Sequence, residues 1–134
     1  MEAARQAVPA VRWRARTAVG LKVLVVAFLL FDAVGKLLRP APVVEGTTQL
    51  GFSVGVIVPI GVALLAITIL YVIPRTAALG TVLLTGYLGG AVATQVRVDA
   101  PTFNIVFPIA FATLAWGATY LLDGRVRALL PVRR

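Results

Sequence analysis

The sequence predicts an all-α fold, a transmembrane antiparallel four-helix bundle, and three observations carry that prediction. The 134-residue chain is 60% hydrophobic and only 13% charged, with a mean hydropathy of +0.95. A soluble domain carries about 25% charged residues, so this one has too little polar surface to cover a core, and the excess apolar side chains call for lipid. Four stretches reach the roughly 20 apolar residues that cross about 30 Å of hydrocarbon. The breaks between them are short, which makes sequential helices antiparallel neighbours.

In chain order, residues 1–16 form a basic segment placed in the cytoplasm, 17–122 the transmembrane domain, and 123–134 a basic cytoplasmic tail. The spans cover about 17–38, 54–73, 76–96 and 103–122. Arg39-Pro-Ala-Pro stops the first, and a polar connection, Glu45 to Gln49, follows. Pro74-Arg75 makes a tight turn between the second and third, and Arg97-Val-Asp-Ala-Pro101 joins the third to the fourth. Pro59 and Pro108 interrupt the second and fourth spans, where a proline frees a carbonyl and can kink the helix. The basic start and apolar run also have the outline of a signal peptide, with Ala33-Val-Gly35 as a weak cleavage site. The run is long enough to span, and its removal would leave three helices, so it is read as a span.

Lys/Arg asymmetry sets orientation. With both termini in the cytoplasm, Arg5, Arg12, Arg14, Arg16, Arg75, Arg125, Arg127, Arg133 and Arg134 lie inside, against Arg39, Arg97 and Lys36 outside. Trp13, Tyr71, Trp116 and Tyr120 then gather near the inner interface, where aromatic rings settle. The reading is a multi-pass protein of a prokaryotic plasma (inner) membrane. The net charge of +8 is concentrated at the chain ends, beside apolar spans, and no aromatic-basic interleaving or groove-reading motif accompanies it. The basic partner is the lipid bilayer and its acidic headgroups rather than nucleic acid.

Cysteine and histidine are absent and Met1 is the sole methionine. Disulfides, thiolate nucleophiles and histidine ligation of zinc, copper or haem are therefore excluded, and no metal site is expected. Any redox centre would belong to a bound molecule or a partner.

Polar residues inside the spans are functional candidates because burying them in lipid costs free energy. Asp32 and Lys36 stand four apart on one helix face and can pair; the plainer alternative is that they lock the helix end while Lys36 snorkels. Lys22, near the other end of the same span, is read as snorkelling. By antiparallel geometry, Gln95 and Arg97 reach the depth of Asp32 and Lys36, and Asn104 opens the fourth span there. Most polar residues outside the tails thus converge on one end, the usual form of a small-ligand site: Asp32, Lys36, Tyr87, Gln95, Arg97 and Asn104. Gly86, Gly89, Gly90 and Ala93 form small ridges on the third span, read as helix-packing faces.

Several of these residues carry a resemblance. Phe31-Asp-Ala-Val-Gly-Lys-Leu-Leu38, Leu50-Gly-Phe52, Gly86-Tyr-Leu-Gly-Gly-Ala-Val-Ala-Thr-Gln-Val-Arg97 and Leu122-Asp-Gly-Arg-Val-Arg127 with Leu130-Pro131 together resemble the DoxX-like family of small membrane proteins, from about Thr17 onward. The resemblance implies a four-helix membrane bundle and, from the subunit that names the family, association with a membrane quinone oxidoreductase. Many relatives carry histidine where Gln95 stands, which argues against a proton relay or metal at that position.

Three functions compete. The first is a non-catalytic membrane component or binder of a lipophilic molecule such as a quinone, working with an oxidoreductase partner or as a homo-oligomer. The second is an intramembrane enzyme with Asp32 as acid or base, Lys36 or Arg97 stabilising negative charge, and Tyr87 or Gln95 orienting an apolar substrate. The third, transport, would need an oligomer, and no inverted repeat is visible.

Overall fold

The computed structural model describes the backbone of residues 2–130 and the side chains of residues 12–130. Arg133, Arg134 and Pro131, and the side chain of Arg5, lie outside the described residues. The elements are α1 (Glu2–Leu38), α2 (Ala41–Gln49), α3 (Ile57–Val72) preceded by a 3-10 turn at Val54–Val56, α4 (Ala77–Arg97), α5 (Thr102–Leu122) and α6 (Gly124–Leu129). Four helical segments are long and apolar enough to cross a membrane: Arg12–Leu38, Val54–Val72, Ala77–Arg97 and Thr102–Leu122.

The chain reverses by backbone devices that the sequence encodes. Arg39 takes a left-handed φ of 53° and its N–H bonds Gly35 O at 3.0 Å, a helix stop completed by Pro40. At the end of α4, Asp99 (φ 52°) donates to Val96 O and Ala100 to Gln95 O, at 3.1 and 3.0 Å. That crossed pair is a Schellman motif, with Pro101 just beyond it. Between α3 and α4, the Thr76 hydroxyl reaches back to Leu70 O at 2.8 Å. Asp123 accepts from Arg125 N at 2.9 Å and caps α6, while Arg127 donates to Tyr120 O and Leu121 O at 2.9 and 2.7 Å. Free carbonyls at the last turn of α5 are thereby satisfied.

The four spans form a ring in which α1 and α4 each pack against both α3 and α5 and face each other across the axis. Val25, Leu29 and Ala33 of α1 meet Leu64 and Tyr71 of α3, Leu84 and Leu88 of α4, and Phe111 and Ala115 of α5. Phe28 lies 4.8 Å from Phe111 and 5.4 Å from Phe107, ring to ring, along the α1–α5 seam. The surface is apolar in turn: Val23, Leu24, Val62, Leu79 and Ile109 are all more than half exposed, as lipid-facing positions should be. Polar groups turn inward. Thr81 and Thr119 are buried and share a hydrogen bond of 2.7 Å across α4 and α5.

Three expectations are corrected. The connection containing Glu45 to Gln49 is a helix, α2, started by Pro40 and Pro42 and supported by Thr47 and Thr48 bonding back to Val43 O and Val44 O. Pro59 does not interrupt its span, because it sits in the first turn of α3, where an N–H has no helical partner to lose; Pro108 does lie inside α5. Tyr71, in the last turn of α3, is fully buried, and its hydroxyl donates to Ala115 O at 3.2 Å inside the bundle. The α4 ridge packs nothing within the chain: Gly86, Gly89, Gly90 and Ala93 are exposed, and a Cβ on any of the three glycines would meet no atom within 4 Å. The close approaches occur at two other glycines. A Cβ on Gly80 would collide with the Tyr71 backbone, and one on Gly61 would come within 2.8 Å of Lys36 Cβ.

Candidate functional site

At the end of α1 the (i, i+4) spacing brings Lys36 Nζ to 2.5 Å from Asp32 Oδ1. The two side chains are unequally placed. Lys36 is 15% exposed and Asp32 36%, so the lysine stem lies against the bundle and the carboxylate leans toward its edge. Gly61 explains the inward lysine, because without a side chain α3 can approach α1 at Ala33, Lys36 and Leu37. On α4, Tyr87 is half-buried and packs against the core. Its hydroxyl joins none of the side-chain hydrogen bonds among the described residues.

Asp32 also lines a groove of about 490 Å³ between α1 and α2, with Phe31, Val34, Leu38, Pro40 and Val43. The groove exists because α2 folds back on α1, Val43 reaching within 3.5 Å of the position a Cβ would take on Gly35. Its walls are almost wholly apolar, so it suits a hydrocarbon ligand with one polar contact.

The remaining candidates are more scattered. Gln95 is half-buried near the end of α4. Arg97 is exposed, and its guanidinium lies over the α2–α3 turn, with Nη2 at 3.6 Å from where a Cβ would stand on Gly51 (φ 92°). Asn104 is exposed in the first turn of α5. Among these candidates, Asp32 and Lys36 are joined directly, while Arg97 and Asn104 are exposed and Tyr87 and Gln95 are half-buried. No cluster of three acidic side chains that could hold a metal occurs among the described residues.

A second polar group was not singled out by sequence reading. Toward the other end, Tyr71, Thr81 and Thr119 are buried together, Trp116 Nε1 donates to Thr85 at 2.7 Å, and Lys22 Nζ lies 5.0 Å above the Tyr71 ring. Threonines at i and i+4 in the third span (Thr81, Thr85) were the available signal.

A DoxX-like family model matches residues 20–118, well over half of the chain. The chain belongs to the DoxX-like family. The matched region holds Asp32, Lys36, Tyr87, Gln95, Arg97 and Asn104 and leaves out the first part of α1, the last turn of α5 and α6. No curated protein and no solved structure shows a significant match to the chain. Membership makes this DoxX-like protein a multi-pass membrane protein in a lipid bilayer.

Proposed function

We propose that this DoxX-like chain is a non-catalytic membrane component that holds a small lipophilic molecule of quinone type at the Asp32 end of the bundle. The observation that carries this reading is the Asp32–Lys36 pair inside the first span, with the lysine seated on Gly61. A quinone offers two carbonyl acceptors and an apolar tail. The Lys36 ammonium, the Tyr87 hydroxyl and the Gln95 amide are donors that suit the former, and the groove of Phe31, Leu38, Pro40 and Val43 suits the latter. Bound there, a quinone would supply the redox chemistry for which the chain has no residue of its own.

The same reading places the protein in a prokaryotic plasma (inner) membrane with both termini cytoplasmic. Arg12, Arg14, Arg16, Arg75, Arg125 and Arg127 favour that side, against Arg39 and Arg97 at the Asp32 end. A partner, whether an oxidoreductase subunit or a second copy, would find the outward α4 ridge of Gly86, Gly89, Gly90 and Ala93 open to close helix approach.

Two measurements test the proposal. Gentle detergent extraction followed by native mass spectrometry should retain a quinone, and Lys36→Met or Tyr87→Phe should lower that retention. Recovery as a lone homo-oligomer without any lipophilic molecule would refute it. Topology is read independently from single cysteines at Ser53 and Leu129, since the chain has no cysteine to interfere. An impermeant maleimide applied to intact cells should label the first and spare the second.

A further inference from the structure

A second groove, of about 560 Å³, runs along the flank of the bundle from the end away from Asp32 as far as Leu30, which also lines the Asp32 groove. It is lined by Val19, Val23, Val26, Ala27 and Leu30 of α1, by Val72 at the end of α3 and Pro74 just beyond it and by Leu122 of α5, with Lys22 in its wall. The α1 residues recur at helical spacing, so they form one continuous stripe. From Val19 to Leu30 that stripe runs about 16 Å at 1.5 Å per residue. Half of a hydrocarbon layer of about 30 Å is about 15 Å, so the groove is as long as the acyl layer of a single leaflet.

Its cations stand at the leaflet's headgroup end. Arg16, exposed, precedes Val19 by one turn on the same face, and Arg75, also exposed, directly follows Pro74. Lys22 sits six residues beyond Arg16, nearly two turns deeper, half-buried, its ammonium held over the Tyr71 ring. No carboxylate among the described residues comes within ion-pair distance of it. The charge of Asp123 reaches it only at longer range, and that carboxylate is already engaged by Arg125. A cation held in a weakly screening site without a counter-ion attracts an anion strongly, and the apolar stripe beside it selects one that carries a hydrocarbon chain.

We propose that this groove seats one acyl chain of an acidic phospholipid, with its phosphate drawn to Lys22 and the arginines of the groove mouth. Ordinary snorkelling would extend Lys22 to the headgroups and leave any lipid equally bound. A built seat instead discriminates by headgroup charge and depends on the shape of the groove. Lys22 stands ten residues, about 15 Å along α1, from Asp32, so its variants test this seat apart from the quinone reading although Leu30 lines both grooves.

The test uses the full chain in mild detergent, titrated with phosphatidylglycerol or phosphatidylcholine of identical acyl chains and followed by native mass spectrometry. The wild type should retain the acidic lipid about fivefold better, the equivalent of about 1 kcal/mol for one cation near the surface. Lys22→Gln should abolish that preference and Lys22→Arg should keep it. Ala27→Trp, or Val23→Trp where the first variant melts early, should lower retention of both lipids by filling the groove. Equal retention of the two lipids by the wild type overturns the proposal. So does a loss in Arg14→Gln, on the opposite face of α1, as large as that in Lys22→Gln, because bulk charge would then be the cause. Displacement of the lipid by inorganic phosphate alone also overturns it, since the acyl groove would then contribute nothing.

Discussion

Gly80 and Gly86 stand six residues apart on α4 in opposite surroundings, and their substitutions should move stability in opposite directions. A Cβ on Gly80 meets the backbone of Tyr71, which cannot yield, whereas one on Gly86 meets open space. Gly80→Ala should therefore cost about 1–3 kcal/mol or more through overpacking. Gly86→Ala should be neutral or stabilising by up to about 1 kcal/mol, because alanine loses less backbone entropy in a helix. Thermal unfolding of the two variants in detergent, followed by circular dichroism, compares them directly; equal losses would refute the outward placement of the ridge. Asp32 and Lys36 give a second contrast. Removing either partner leaves a charge at the membrane edge without its counter-ion, at a cost of up to about 2.5–3.5 kcal/mol. The double variant Asp32→Asn/Lys36→Met should unfold at a higher temperature than Lys36→Met alone. Strict additivity of the two single changes would show that the pair is not coupled. The spacing of this pair was legible from sequence, since four residues is one helical turn. That Gly61 would seat the lysine was not, because the contact joins residues 25 positions apart on different helices.

At the scale of the element, α6 shows how a short helix is held to a bundle. Six residues cannot form a stable helix alone, so α6 depends on Val126, buried against the spans, and on Asp123 and Arg127 at its ends. The hydrogen bonds from the Arg125 side chain and backbone hold the Asp123 carboxyl below the usual carboxylate range. A carboxyl depressed in the folded state contributes stability above its unfolded value, and that contribution is lost as pH falls through the folded one. Docking of α6 should thus be constant from neutral pH down to about 4 and weaken only below it. A nitroxide on Leu129→Cys would report the release as increased mobility. Asp123→Asn keeps a capping oxygen and should flatten the acid response; an unchanged response would remove Asp123 from the account. The helix stops belong to this scale too. Arg39-Pro40 and Asp99-Ala-Pro101 mark both ends in sequence, but α2 was missed, because Glu45 to Gln49 reads as polar and only its packing on Gly35 shows it as a helix.

For the whole molecule, the bundle is apolar on both sides of its helices: Val25, Leu29, Leu64 and Leu84 fill the core beside the buried hydroxyls of Tyr71, Thr68, Thr81 and Thr119, and further valines, leucines and isoleucines face out. Leu24→Arg, at a position 57% exposed on α1, should oppose insertion by about 2.5–3.5 kcal/mol if the side chain lies near the span centre, less with snorkelling. Leu129→Arg, 83% exposed on α6, should leave insertion unchanged. The fraction of each variant recovered in alkali-washed membranes measures the difference, and equal recovery would contradict the placement of α6 outside the hydrocarbon.

The sequence by itself determined that this chain crosses a membrane four times, where each span turns back, its family, and the end to which Asp32, Lys36 and Gln95 belong. All of these follow from local quantities: hydropathy summed over one span, prolines and charges at its edges, and short connections. Only the tertiary structure decided which face of each helix looks inward. In lipid both faces of a span are apolar, so hydropathy carries little record of orientation about the helix axis. That is why the α4 glycines, expected in a seam, lie on the outside, and why Gly61, Gly80, Tyr71 and Lys22 acquired their roles only once the helices were set side by side.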